Sequence, residues 1–73
     1  MQFTEFQSIV LRQVNEIFNV NLYARLKLFK PSHVTNYAAD AWLQFMKGED
    51  LEKCQLIAVT NISNYVESVM IFG

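Results

Sequence analysis

The chain has 73 residues, of which 52% are hydrophobic and 14% aromatic, with 2 glycines and 1 proline, and this composition excludes the disordered class. A formal net charge of -1 excludes a global basic field that would attract nucleic acid or an anionic membrane. The single cysteine excludes an internal disulfide framework and fits a reducing compartment.

The first predicted element is an amphipathic helix over residues 5–18. Thr4 is its predicted N-cap, because Gln7 follows three residues later and can reach back to complete a capping box. Asn19 and Asn21 come next, and asparagine favours the turns and the left-handed backbone that end helices. The apolar side chains recur at helical spacing and form one stripe, which consists of Phe6, Val10, Leu11, Val14, Ile17 and Phe18.

Residues 22–29 fit two interpretations. Apolar residues alternate with charged or aromatic ones, which is the pattern of a half-buried strand. Leu22, Leu26 and Phe29 also stand at positions i, i+4 and i+7, which is the spacing of a short helix. We favour the helix, because leucine, alanine, arginine and lysine are good helix formers. A strand here could pair only with residues 66–72.

The third predicted element is a helix over about 33–47. Pro31 marks its boundary, Ser32 is the predicted N-cap, and Gly48 is predicted to end the helix in a left-handed conformation. Apolar residues occupy about two thirds of the circumference, so this helix needs cover on two sides. Trp42 lies in the middle of the widest apolar face and is predicted to be a buried core residue.

The longest predicted element is an amphipathic helix over residues 50–72, which Asp50 opens. Residues 60–64 are five consecutive poor helix formers, so the sequence does not decide whether the helix breaks there. Polar side chains within residues 54–72 argue against a membrane span. The apolar stripe, within an arc of roughly 160°, consists of Leu51, Cys54, Ala58, Val59, Ile62, Tyr65, Val66, Val69, Met70 and Phe72.

Together these elements predict an all-α fold, a small bundle of three or four helices at about 5–18, 22–29, 33–47 and 50–72. The C-terminal helix is the predicted spine of this bundle. Residues 1–73 are expected to form a single helical domain. The first residues lack the basic and apolar regions of a secretory signal, so the expected location is the cytoplasm.

Few residues could carry chemistry. His33 is the only histidine and Cys54 the only cysteine, and a catalytic pair would need them within hydrogen-bond reach, which nothing in their spacing demands. We expect His33 to be an exposed residue at a helix start and Cys54 to pack as a small hydrophobic residue. The acidic residues Glu49, Asp50 and Glu52 place negative charge at the positive end of the last helix. We therefore expect no catalytic residue, no metal site and no cofactor, and predict that the protein is not an enzyme.

The surplus of apolar residues is the strongest functional signal. Leu56 and Ile57 flank the stripe of the last helix, while Leu43 and Met46 widen the apolar face of the helix before it. A chain this short has too little interior to bury all of its apolar side chains. These four residues are therefore the predicted partner interface. The expected function is a non-catalytic protein–protein interaction module. It would be a homodimeric regulator or inhibitor of another protein that acts through an apolar helical surface.

The alternative function is a small nucleic-acid-binding regulator. Arg25, Lys27 and Lys30 lie beside Tyr23 and Phe29, so the charges could contact phosphates while the two rings stack on bases. Against this alternative, the third helix offers few basic or amide side chains for reading a groove. We therefore expect a protein partner, with neither nucleic acid nor a membrane as the target.

Overall fold

The computed structural model describes residues 1–27 and 29–72, and within this part of the chain it contains four helices and no strand. The helices are α1 (Phe3–Phe18), α2 (Leu22–Arg25), α3 (Pro31–Met46) and α4 (Leu51–Phe72). The prediction of a small all-α bundle is confirmed. None of these helices is long and apolar enough to cross a membrane. Of the positions discussed above, Leu28 and the Phe72 side chain lie outside what the structure describes.

Helix α1 begins earlier than the sequence predicts. Gln2, not Thr4, occupies the N-cap position. The cause is a tertiary contact, because the ring of Phe3 packs edge-on against Trp42 with the ring centroids 5.8 Å apart. The helix ends as predicted at Phe18, and its C-cap residue Asn19 has a left-handed φ of 56°.

The segment after α1 contains one helical turn, so the predicted helix over 22–29 is wrong in its length. Helix α2 ends at Arg25, and Leu26 is extended, with a φ of -117° and a ψ of 110°. Leu22 and Phe29, at the two ends of the segment, are both buried, so tertiary packing outweighs the helix propensity of the residues that follow Leu22. The strand alternative is also wrong, because the end of α4, its only available partner, is helical.

Helix α3 begins at Pro31 with Lys30 as its N-cap, in place of the predicted Ser32. Proline suits the first helical position, because an N–H there would have no partner within the helix. The His33 side chain accepts a hydrogen bond from the Lys30 N–H at 3.0 Å and so fixes this start. The other end is as predicted, because Gly48 has a φ of 103°, which is left-handed.

Helix α4 is continuous through residues 60–64, where the sequence left a break open. Ile62 is fully buried in the middle of that run, and its packing outweighs the weak helix propensity of its neighbours. The start is as predicted. Asp50 caps the helix, since its Oδ2 accepts a hydrogen bond from the Lys53 N–H at 3.1 Å.

The three long helices pack on one another, with α3 antiparallel to both others. Trp42, near the end of α3, packs against Phe3 and Phe6 near the start of α1. His33, near the start of α3, contacts Tyr65 near the end of α4. Helix α3 thus has two neighbours within the chain. The two-sided cover that its sequence requires is supplied without a second chain.

The core contains apolar side chains from all three long helices and from the segment between α1 and α3. Cys54 is among them, as predicted. Trp42 is not, because it is partly buried and packs against the core from outside, so the prediction of a buried Trp42 is wrong. The core residues are Phe6, Val10, Val14, Leu22, Phe29, Val34, Ala38, Ala41, Cys54, Ala58, Val59, Ile62 and Val66.

Candidate protein-binding surface

Four side chains of α3 form an apolar strip on the outside of the bundle. Ala39, Trp42, Leu43 and Met46 lie within an arc of about 100°, since each helical residue is turned by about 100° from the last. Leu43 and Met46 are 58% and 64% exposed, while Ala39 and Trp42 are partly buried. Helix α3 places no charged residue in this arc. These four residues and the adjoining Phe3 of α1 are here named the tryptophan surface.

Trp42 connects this surface to the core. The centroid of its ring lies 5.8 Å from that of Phe3, 5.4 Å from that of Phe6 and 5.3 Å from that of Phe45. Phe6 is fully buried, whereas Phe3 and Phe45 are partly buried. These contacts hold the indole in one place, so that little conformational entropy is lost when a partner covers it.

The structure separates the four residues that the sequence assigns to a partner interface. Leu43 and Met46 belong to the tryptophan surface. Leu56 is 65% exposed on the second turn of α4, whereas Ile57 is partly buried and packs against the core. Consecutive helical side chains diverge by about 100°, so Leu56 and Ile57 do not share a face. Of the α4 pair, Leu56 is the residue that a partner could cover.

The structure does not bring His33 and Cys54 together. His33 contacts Tyr65, and Cys54 lies eleven residues before Tyr65 on α4, about 16 Å along the helix axis at the usual helical rise. Burial raises the pKa of the Cys54 thiol, and the charges of Glu49 and Asp50 raise it further. The thiol is therefore kept in its protonated form, which is a poor nucleophile.

The acidic residues at the turn between α3 and α4 stabilise that turn. Glu49 Oε2 lies 3.6 Å from Lys53 Nζ, Asp50 caps α4, and Glu52 lies in its first turn. Each carboxylate thus faces the positive end of α4 or a lysine. Within the described part of the chain, no group of three or more His, Cys, Asp and Glu side chains is arranged to hold a metal ion.

The basic residues of the alternative function lie at the opposite end of α3 from the tryptophan surface. Arg25 ends α2, Lys27 lies in the following turn and Lys30 precedes α3, and all three are exposed. Phe29 is 2% exposed and its ring stacks on Tyr23 at 5.4 Å. Of the two aromatic residues named for base stacking, Tyr23 alone is exposed, at 37%.

A small pocket of about 160 Å³ lies at this basic end, between α2 and the C-terminal ends of α1 and α4. Its volume is close to that of cavities that hold a single benzene-sized group. Apart from Arg25, its described lining is apolar and offers no side-chain hydrogen bond. The lining residues are Phe18, Val20, Leu22, Arg25, Leu26 and Met70.

Sequence reasoning missed the contact between His33 and Tyr65. The Tyr65 Oη lies 3.1 Å from His33 Nε2, and the two ring centroids are 4.5 Å apart. The sequence predicts His33 as an ordinary exposed residue, whereas it is half-buried. The available signal was the position of Tyr65 in an apolar stripe, because a covered tyrosine needs a partner for its hydroxyl group.

No protein-family model matches the chain, and comparisons with curated proteins and with solved structures find no match.

Proposed function

We propose that the chain is a non-catalytic protein-binding module that associates with a second copy of itself through the tryptophan surface. The observation that carries the proposal is the exposure of Leu43 and Met46 beside an indole that three aromatic rings hold in place. Aromatic anchors among aliphatic side chains, with charges depleted, are the usual composition of an interface centre.

The proposed interface is larger than the tryptophan surface alone. A stable complex covers about 800 Å² on each partner, which is roughly a sixth of the 4877 Å² surface of this chain. Five residues do not supply that area. The apolar side chains available at the same end of the bundle are Met1 and Leu56, at 53% and 65% exposure, and we include both in the proposed interface.

A second copy is the proposed partner because a twofold contact brings one surface against itself. The apolar side chains of both chains are then covered at once, and no complementary surface on another molecule is needed. The dimer would act on other proteins as a small regulator or inhibitor, by binding alone. We also propose that the protein is cytoplasmic, because a buried, protonated Cys54 is suited to a reducing compartment.

Sedimentation velocity at micromolar concentration tests this proposal with the variant Leu43→Glu. We expect the wild-type chain to sediment as a dimer. Leu43→Glu should raise the dissociation constant by about tenfold or more, because the interface would bury an unpaired carboxylate. Ile17→Glu is the matched control, since Ile17 is 60% exposed and lies at the opposite end of the bundle.

Both variants should keep the far-ultraviolet circular dichroism of the wild-type chain, because each carboxylate is exposed to water in the monomer. A wild-type chain that sediments as a monomer at the highest attainable concentration would contradict self-association. Equal dimer formation by Leu43→Glu and Ile17→Glu would contradict the assignment of the tryptophan surface.

A further inference from the structure

The pocket between α2 and the C-terminal ends of α1 and α4 has walls that hydrogen bonds hold in place. Asn15, on the last turn of α1, accepts two of them. Its backbone oxygen accepts from the Val20 N–H, and its Oδ1 accepts from the Leu22 N–H, each at 3.2 Å. The Leu26 N–H donates to the Leu22 carbonyl oxygen at 2.9 Å. The connection that lines the pocket is thus fixed by the chain itself, and a ligand need not order it.

The interior of the pocket is apolar, with a buried floor and an exposed mouth. Leu22 is fully buried and forms the floor. Met70 is 56% exposed and Arg25 is also exposed, so these two residues lie at the mouth. A polar group deep in the pocket would lose its water and gain no side-chain partner, so the interior favours an apolar group. The walls between floor and mouth are the partly buried Phe18, Val20 and Leu26.

The volume of the pocket limits the ligand to one small apolar group. It is about 160 Å³, and an apolar cavity of about 150 Å³ holds one benzene molecule. Sites for drug-sized ligands and cofactors measure about 300–1,000 Å³. A nucleotide or a flavin therefore does not fit, whereas a single ring or a short branched chain does.

Arg25 is the one charged residue in the described lining of the pocket. Within residues 1–27 and 29–72, no carboxylate lies within 4.0 Å of its guanidinium group. A guanidinium binds a planar carboxylate through two parallel N–H···O bonds. The C-terminal ends of α1 and α4 add partial negative charge around the pocket, so an anion is favoured only where it reaches Arg25. One guanidinium matches one negative charge, which a carboxylate carries and a phosphate monoester exceeds.

We propose that this pocket binds a small apolar monocarboxylate of about the size of benzoate. The apolar group occupies the interior above Leu22, and the carboxylate at the mouth pairs with Arg25. The pocket and the tryptophan surface lie at opposite ends of the bundle, so this binding does not depend on self-association.

An NMR titration of the isotope-labelled full chain with benzoate at pH 7 tests the proposal. Benzoate is ionised at that pH, since carboxyl groups have pKa values near 4. We expect saturable shifts of the methyl groups of Leu22, Leu26 and Met70. The dissociation constant should be about 1 mM, because so small a ligand supplies little binding energy. Benzyl alcohol, which has the same ring and no charge, should bind about fivefold more weakly.

Arg25→Gln tests the role of the guanidinium group. It should weaken the binding of benzoate about fivefold and leave that of benzyl alcohol unchanged. Lys27→Gln is the matched control, because it removes the same charge from an exposed residue that is not part of the described lining. Its affinity for benzoate should stay within about twofold of the wild-type value, since solvent screens a charge outside the pocket. Both residues are exposed, so both variants should keep the wild-type circular dichroism.

Two kinds of result would overturn the proposal. Benzoate shifts that do not saturate, or that spare the methyl groups of Leu22, Leu26 and Met70, would contradict the pocket as the site. Equal affinity for benzoate and benzyl alcohol, or equal losses in Arg25→Gln and Lys27→Gln, would contradict the recognition of a carboxylate by Arg25.

Discussion

Replacing Ile62 with alanine is expected to lower the free energy of unfolding by about 2–5 kcal/mol. Ile62 is fully buried and lies within the stretch of α4 with the weakest helix propensity. The substitution removes core packing at the point where packing alone keeps α4 continuous. A chain of this length has a total stability of only about 4–11 kcal/mol, so a large share of it should be lost, as measured by urea unfolding.

The matched control is Ile17→Ala, which removes the same atoms from a residue that is 60% exposed on α1. Its effect should stay within about 0.5 kcal/mol of the wild-type value, since exposed substitutions away from special features are nearly neutral. Similar losses for Ile62→Ala and Ile17→Ala would mean that α4 does not pack as described.

Trp42→Ala is expected to cost about 2–3 kcal/mol in the monomer. Complete burial of a tryptophan would make the loss about 3–5 kcal/mol, and the partial exposure of Trp42 lowers this figure. The loss arises from the packing of the indole on Phe3, Phe6 and Phe45. Chemical unfolding at a concentration low enough to exclude association measures it.

Leu43→Ala is the control for Trp42→Ala, because Leu43 is the adjacent residue of the same surface and is 58% exposed. We expect a change of less than about 0.5 kcal/mol in the stability of the monomer. If Trp42→Ala is as mild as Leu43→Ala, the indole does not stabilise the core. If Trp42→Ala costs about 5 kcal/mol, the upper limit expected for Ile62→Ala, the indole is covered within the monomer and is not available to a partner.

The existence of the three long helices could be predicted from the sequence, whereas their first residues could not. Apolar spacing is a local property, and it fixed the stripes of α1, α3 and α4. The starts of α1 and α3 depend on contacts distant in the chain or between side chain and backbone. Phe3 joins α1 because Trp42 lies beside it, and the His33 ring accepts a hydrogen bond from the Lys30 N–H, a role that the capping box assigns to glutamate or glutamine.

Two of the five residues of the tryptophan surface, Leu43 and Met46, are among the residues that the sequence assigns to an interface, and the other three were missed for a similar reason. Helical periodicity gives the direction of a side chain but not the depth of cover above it. Leu43 and Met46, which widen the apolar face of α3, are exposed. Trp42 points toward α1 near the end of the bundle, where cover is incomplete, while Ile57 is covered by packing against the core. Neither outcome follows from the order of residues within one helix.

Fluorescence of Trp42 tests self-association through the tryptophan surface most directly. Trp42 is the only tryptophan in the chain, so its emission reports on this surface and on no other. The measurement is acrylamide quenching over a dilution series from high micromolar to nanomolar concentration, with Leu43→Glu measured in parallel. In the wild type we expect quenching to weaken and the emission to shift to the blue as concentration rises, because a second copy covers the indole. Leu43→Glu should remain at the dilute, strongly quenched limit, and a wild-type signal independent of concentration would contradict the proposed interface.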